Sequence, residues 1–494
     1  MNNKRYTALI LIFMMLIVCG FYGYKDYHKY KNYKEDAIFL LDFLVENYPY
    51  FELKERVLNY KFLEHNEEFI DKIAASKNDL QFFQQVNETL CSLQNSHSSI
   101  GYFFDMKDES IKERLNYFKN LYDEEFYIPD IKWRYVEGKY VVCKSKNRSV
   151  PVGSIITSIN GKKINNYILE LKNKVYLKKD FRRNVFYSNE IYKYDNEPLE
   201  IEFLYNDEKN SSSINFFKRT EEFVKWYISE GNEDEPNVIT DVMEDGQVAY
   251  LKVKSFDRTS LENGEDIIIG NFFNKNKNVK NIIIDIRGNS GGQESYGDFI
   301  ISNLIDKPVK FKYYHCLRDT NYMEEKVYSN KAMGYLQKIE LKEIPQNNYD
   351  LSGFKAVKLE ETLEPNKNSI KYKGNLYILV DDEIYSSSEN FINKVKEKNL
   401  ARIIGTTTGG DGTGLSSVPE VLPNSKLVFS IPPAITFNED GTVNEEIHTE
   451  PDIYIEQSLE DYNEFLKSGV LDISRSEYDT VYIKTLDMIK SNGN

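Results

Sequence analysis

Cysteine and histidine are scarce, with four Cys and five His in 494 residues. Cys19, Cys91, Cys143 and Cys316 lie far apart and form no C-x-x-C pair, which argues against a zinc ribbon or a disulfide framework. The histidines, His28, His65, His97, His315 and His448, form no H-E-x-x-H, so no metal site and no cofactor are expected. A basic surplus is missing too: the net charge is -15, and without a basic face no nucleic-acid partner is expected. Low-complexity tracts and short repeats are absent, which excludes collagen-like, solenoid and disordered chains. What is abundant is core-forming material, including 37 Tyr and 29 Phe, enough for two or three domains.

Charge is also absent from one long stretch near the start. After Lys4 and Arg5, residues 7–24 carry no Asp, Glu, Lys, Arg or His. A run of about 18 such residues just spans a hydrocarbon core roughly 30 Å thick, and basic residues at its start favour keeping that end in the cytoplasm. The expectation is a single N-terminal membrane anchor with the remainder outside the cytoplasm. A cleaved signal peptide followed by secretion is the alternative, as is lipidation of Cys19, although Val18 stands where a lipoprotein box has a small residue.

Periodicity divides the rest. Residues 25–128 read as a helical region, with one-sided apolar spacing around 37–44 and 80–86. Over 129–208 the texture changes to short β-prone runs, and residues 152–162 read as a strand, an Asn160-Gly161 tight turn and a return strand. Beyond a polar linker near 230–236, strands and helices alternate through a domain spanning 240–456, followed by a C-terminal extension, 457–494. Its runs 281–286 and 376–380 are apolar almost throughout, as strands buried on both faces require.

Three segments of that domain have residues suited to chemistry. Asp285-Ile286-Arg287-Gly288-Asn289-Ser290-Gly291-Gly292 follows one buried strand; its glycines either make a tight turn or aim bare N–H groups at a developing oxyanion. Ile384-Tyr385-Ser386-Ser387-Ser388-Glu389 follows another. Ser386 is there either a helix N-cap or a nucleophile beside the orphan N–H groups of a helix start, that of Ser387 included. The third is the glycine-rich stretch 405–414, which has no Lys and so is no phosphate loop.

In their order and spacing these segments resemble the serine peptidase family of the tail-specific, C-terminal processing proteases and the tricorn core protease. The family pattern "D-x-R-x-N-x-G-G", "S-A-x-x-E", "V-G-x-x-T-x-G" and "G-V-x-P-D-I" is matched by residues 285–292, 386–389, 404–409 and 448–453. Residues 152–162 likewise resemble the "G-D-x-I-x-x-I-N-G" stretch of PDZ domains, with Ser154 replacing Asp. The resemblance implies an α/β (α+β multidomain) chain: a ClpP/crotonase-like catalytic core, a PDZ-like β-rich module able to bind an extended chain by strand addition, and the helical N-terminal region.

It also implies site roles. Ser386 is the implied nucleophile, and Gly291, Gly292 and Ser387 the oxyanion donors. Asp411 stands where the tail-specific branch has its basic Lys, which excludes a Ser-Lys dyad. The tricorn-like branch instead uses a His preceded by Ser, with a late Glu. Here that motif falls on Ser96 and His97, and on Glu445, beside Glu446. The implied function is a membrane-anchored extracytoplasmic serine endopeptidase acting on peptides or proteins through an acyl-enzyme. The alternative is a catalytically inactive peptide- or ligand-binding protein on the same fold, since fold does not fix function.

Overall fold

The structure, a computed structural model, describes residues 32–492 apart from 102–106, 229–234, 244–245, 330–333, 346 and 413. The apolar segment 7–24 lies outside the described residues. Among those described, no helix is long and apolar enough to cross a membrane. The chain splits into two compact units, Met1–Glu124 with Ser417–Pro432, and Glu125–Ser416 with Pro433–Asn494.

The first unit is mainly helical, as its one-sided apolar spacing dictates. Residues 32–47, Phe51–Leu58, Asn66–Ala74, Asp79–Cys91 and Glu109–Glu125 are helices. Leu40, Leu44, Phe82, Phe83, Leu90 and Phe118 are buried. Asn78 caps the fourth of these helices, its side-chain oxygen accepting the Gln81 N–H at 2.8 Å. Ser99–Ile100 pairs antiparallel with Val428–Ile431, which pairs with Val418–Val421, so residues 417–432 supply two strands to this unit from far along the chain.

In the second unit, a β-rich module orders its antiparallel strands Glu208–Ile214, Leu199–Tyr205, Ile155–Ile159, Lys139–Ser145 and Ile131–Val136. Trp133, Tyr140, Ile156, Ile201 and Phe203 fill its core. The Asn-Gly turn forms as its sequence requires: Asn160 and Gly161 have φ +47° and +74°, and Ile155–Ile159 returns as Lys162–Lys163.

Next to it in sequence is a six-stranded sheet in the order Val238–Met243, Val248–Val253, Asn281–Asp285, Asn375–Val380, Arg402–Gly405, Ile453–Tyr454, parallel except for its first pair. Strand alternation sends Leu251, Ile282, Ile284 and Ile378 to one face, against helices Asp266–Lys275, Glu294–Ser302 and Ser387–Glu397. Tyr250, Ile283, Leu379 and Ile404 go to the other, under Val481, Tyr482 and Leu486 of helix Thr480–Asn492. Both faces are covered, which is why the central strands are apolar along most of their length. The mixed α/β architecture expected from the sequence is thus the one observed.

A buried ion cluster ties the C-terminal helix to the sheet. Arg287 reaches Asp285 at 2.6 Å and Asp479 at 2.7 Å, and Tyr250 donates its hydroxyl to Asp285 at 2.7 Å. Asp479, immediately before the helix, also accepts the Tyr482 N–H at 3.0 Å. Burial alone would raise the Asp285 pKa; the Arg287 guanidinium outweighs it and holds the carboxyl below its ordinary value. Asp479→Ala should therefore lower the unfolding free energy in urea by about 3 kcal/mol, because it strips a buried guanidinium of one of its two carboxylates. Asp479→Asn, which keeps the helix cap, should lose less.

Candidate active site

Strands Asn281–Asp285 and Asn375–Val380 are parallel neighbours, so the turns that leave their C-terminal ends lie side by side. This is where open α/β sheets form their sites. The second turn ends at Ser386, which has φ +59° and ψ -125°, immediately before helix Ser387–Glu397. A β-carbon is crowded in that backbone region, at a cost of about 1–3 kcal/mol that surrounding contacts must offset. The two sequence alternatives for Ser386 separate here, because its hydroxyl makes no capping hydrogen bond. Ser388 does the local bonding instead, donating to the Asn289 carbonyl at 2.6 Å and the Tyr385 carbonyl at 2.8 Å.

The glycine turn from the neighbouring strand presses on this backbone. A β-carbon on Gly291, which has φ +106°, would lie 2.7 Å from the Tyr385 carbonyl oxygen and 3.0 Å from the Ser387 nitrogen. On Gly292, φ +141°, it would lie 2.3 Å from the Phe256 carbonyl oxygen. The Gly291 N–H donates to Asn289 Oδ1 at 2.9 Å, so it is occupied within its own turn. Among the described residues the N–H groups of Gly292 and Ser387 have no hydrogen-bond acceptor.

One buried carboxylate joins this helix to two further segments. Glu389, in the first turn after Ser386, is 0% exposed. It accepts from Thr449 Oγ1 at 2.6 Å, Asn444 Nδ2 at 2.7 Å and the Gly410 N–H at 3.4 Å. Burial raises its pKa, and these neutral donors only partly offset that. In the glycine-rich loop, Gly409 donates to the Ile384 carbonyl at 2.8 Å and Gly412 to Asn444 Oδ1 at 2.8 Å. Asp411, buried at φ +57°, accepts the hydroxyl of Tyr385. His448 bonds the Thr408 carbonyl through Nδ1 at 2.8 Å, and its ring meets that of Phe181 edge-on at 4.9 Å between centroids.

Ser386, Ser387, Gly291 and Gly292 are thus brought together. Glu445 is buried on the short helix Asn444–Ile447, next to the residue that grips Glu389, while Glu446 is half-buried and takes the Tyr349 hydroxyl at 2.6 Å. Ser96 and His97 belong to the first unit, both half-buried. The His97 N–H is held by Asn95 Oδ1 at 3.0 Å, and its carbonyl accepts from Ser417 and Ser430 at 3.2 and 3.3 Å. The fixing roles of Asn289, Ser388 and Thr449 were not read from the sequence, where each is one more polar residue in a loop or helix end. One carboxylate trio among the described residues, Glu294, Asp298 and Glu361, has metal-ligand spacing. The buried Lys394 ammonium sits among the three at 2.8–2.9 Å, pairing with each in the place a metal ion would take.

A strained serine between strand and helix, beside a glycine turn, is an arrangement suited to a serine-type hydrolase. Residues 247–455 match the model of peptidase family S41 and are similar to that family, and the protein is a serine-type peptidase. Among solved structures, mature CPAF matches with TM-score 0.61 and 15% identity over 89% of this chain and 96% of that one. Mature CPAF complexed with lactacystin matches with 0.59 and 14% over 89% and 97%. A CPAF serine-to-alanine mutant matches with 0.60 and 13% over 90% and 96%. At these identities the likeness is one of fold. A search of the curated proteins found no match.

Gly291→Ala tests the contact at the centre of the site. The added methyl should displace residues 385–387, cutting peptide hydrolysis about 100-fold, the scale expected for a displacement near 1 Å. Thermal unfolding should stay cooperative.

Proposed function

We propose that this peptidase is a membrane-anchored, extracytoplasmic serine endopeptidase with Ser386 as nucleophile and His97 as general base. The observation that carries it is the backbone of Ser386: a strained, uncapped serine whose neighbours Ser387 and Gly292 have uncommitted N–H groups. In the proposed sequence Ser386 Oγ attacks the scissile carbonyl carbon while His97 takes its proton. The N–H groups of Gly292 and Ser387 stabilise the oxyanion, and the intermediate collapses to an acyl-enzyme as His97 protonates the leaving amine. Water then repeats the steps against the ester.

An imidazole suits the base role because it exchanges protons near neutrality. Asp411 supports this choice of base, since a carboxylate bound by Tyr385 occupies the position of the tail-specific lysine. Glu445, with Ser96 as relay, is assigned to hold the imidazole; its burial fits that task better than Glu446, whose carboxylate is engaged by Tyr349. The β-rich module would hold an extended substrate by strand addition. Lys4 and Arg5 ahead of the uncharged run 7–24 support the anchor and its orientation.

Ser386→Ala is expected to lower kcat/KM for a peptide substrate by at least about 1,000-fold and to abolish covalent labelling by a fluorophosphonate. His97→Ala should lose labelling as well. Unchanged hydrolysis and labelling in Ser386→Ala would remove the nucleophile assignment, and unchanged labelling in His97→Ala would remove the base.

A further inference from the structure

We propose that Asp381 is a positioning residue for the peptidase site, holding the glycine turn and the serine turn in register through one carboxylate oxygen. This rests on Ser386 being the nucleophile. Asp381 is the first residue after strand Asn375–Val380. Its Oδ1 accepts two backbone N–H groups, that of Gly288 at 3.0 Å and that of Glu383 at 3.1 Å. Gly288, at φ +79°, begins the turn that leads to Gly291 and Gly292. Glu383 lies three residues before Ser386. The two segments that supply the proposed oxyanion donors are therefore pinned to one atom, upstream of the point where Gly291 meets the Ser386 backbone. A shift at Asp381 opens the distance between Gly292 and Ser387.

The charges around Asp381 make this staple sensitive to pH. Asp382 and Glu383 share its turn. Lys178, from the strand Lys178–Asp180 of the β-rich module, gives its ammonium to Asp382 at 3.1 Å and to Glu383 at 2.5 Å. Tyr187, from the paired strand Val185–Tyr187, donates to Asp382 at 2.5 Å. Arg134, on strand Ile131–Val136, acts on both aspartates. Burial would raise the Asp382 pKa, but Lys178 and Arg134 prevail and bring it to about 2. For Asp381 burial comes first and the negative charges of Asp382 and Glu383 add to it, so its pKa rises to about 7. Asp381 and Gly288 also line a cavity of about 750 Å³, which gives the carboxyl a route for proton exchange.

The sign follows directly. Above about 7 the carboxylate is ionised and accepts two charge-assisted bonds; below it the carboxyl is neutral and holds them less firmly. Since the folded-state value lies above the unfolded one, the ionised form costs stability as pH rises through about 7, while the site gains its geometry.

Asp381→Ala, Asp381→Asn and Ser386→Ala, each in the full chain, test this. At pH 8, Asp381→Ala should lose about 30-fold in kcat with KM within threefold, on the scale of a misplaced catalytic group. Asp381→Asn, which keeps an acceptor oxygen, should recover most of the loss and unfold no earlier than the parent. Below about pH 7 the parent's log(kcat/KM) should show an extra step, no larger than the gap between the parent and Asp381→Asn at pH 8, and the Asp381→Asn profile, where only the base still titrates, should lack it. Amide hydrogen exchange at 285–292 and 381–386 should speed up in Asp381→Ala alone, a readout independent of catalysis. Parental kcat and exchange in Asp381→Ala, or equal losses in both Asp381 variants, would overturn the proposal. If Ser386→Ala stayed active, the nucleophile assignment would fail, and the exchange data would still decide whether Asp381 pins the two turns.

Discussion

The site depends on one steric constraint, the backbone-to-backbone approach of Gly291 to residues 385–387. Parallel strands about 4.8 Å apart deliver two turns to the same edge, and a side chain on either turn would force them apart. Because residue 291 is glycine, the carbonyl of Tyr385 and the nitrogen of Ser387 come within the space a β-carbon would fill. That approach shapes the serine backbone. With Gly291 filling one side and helix Ser387–Glu397 beginning on the other, Ser386 adopts φ +59°, and its hydroxyl is turned away from helix capping. The strain is local, while the contacts that offset it are spread over Ser388, Glu389 and Asp381.

Three half-buried or buried carboxylates around the sheet show how environment sorts identical chemistry. Asp285 faces a guanidinium and is held below its ordinary pKa despite burial. Glu389 faces only neutral donors, so burial prevails and its pKa rises. Asp381 has like charges on its own turn, and both burial and repulsion push it up, to about 7. The first serves stability, since a buried Arg287 needs both of its acids. The other two cost stability at neutral pH and are retained where several loops converge. Their value lies in geometry, because a carboxylate oxygen can accept from several donors in different segments at once.

What the sequence made legible was what depends on neighbours in the chain. The largely apolar runs at 281–286 and 376–380 read as doubly covered strands, and Asn160-Gly161 as a tight turn between strands. The motif segments and their order were equally plain, because glycines at 288, 291 and 292 mark a turn whose backbone is free of side chains. Less was visible where distant segments meet. Nothing local in residues 417–432 announces pairing with Ser99–Ile100, since antiparallel partners three hundred residues apart leave no periodic trace. The run 381–383 reads as a plain acidic strand end, and only the fold brings Lys178 and Tyr187 to it. The helix cap reading of Ser386 could not be set aside from sequence either, because it is decided by φ and ψ.

The departures from the family pattern prove to be linked by packing. Asp411 is seated at a left-handed position between Gly410 and Gly412 and receives the hydroxyl of Tyr385, the residue directly before Ser386. His448 lies over Gly410 so closely that a β-carbon there would come within 2.7 Å of the imidazole. The same ring reaches Phe181 in the β-rich module. The loop that would carry an amine base in a Ser-Lys enzyme is therefore closed over by an acid, a tyrosine and an imidazole fixed on a backbone carbonyl. Gly412 admits no side chain beside Glu389 either, its β-carbon falling 2.7 Å from Glu389 Cγ. Asp411, Tyr385 and His448 thus fill by packing the loop position at which the tail-specific pattern has its lysine.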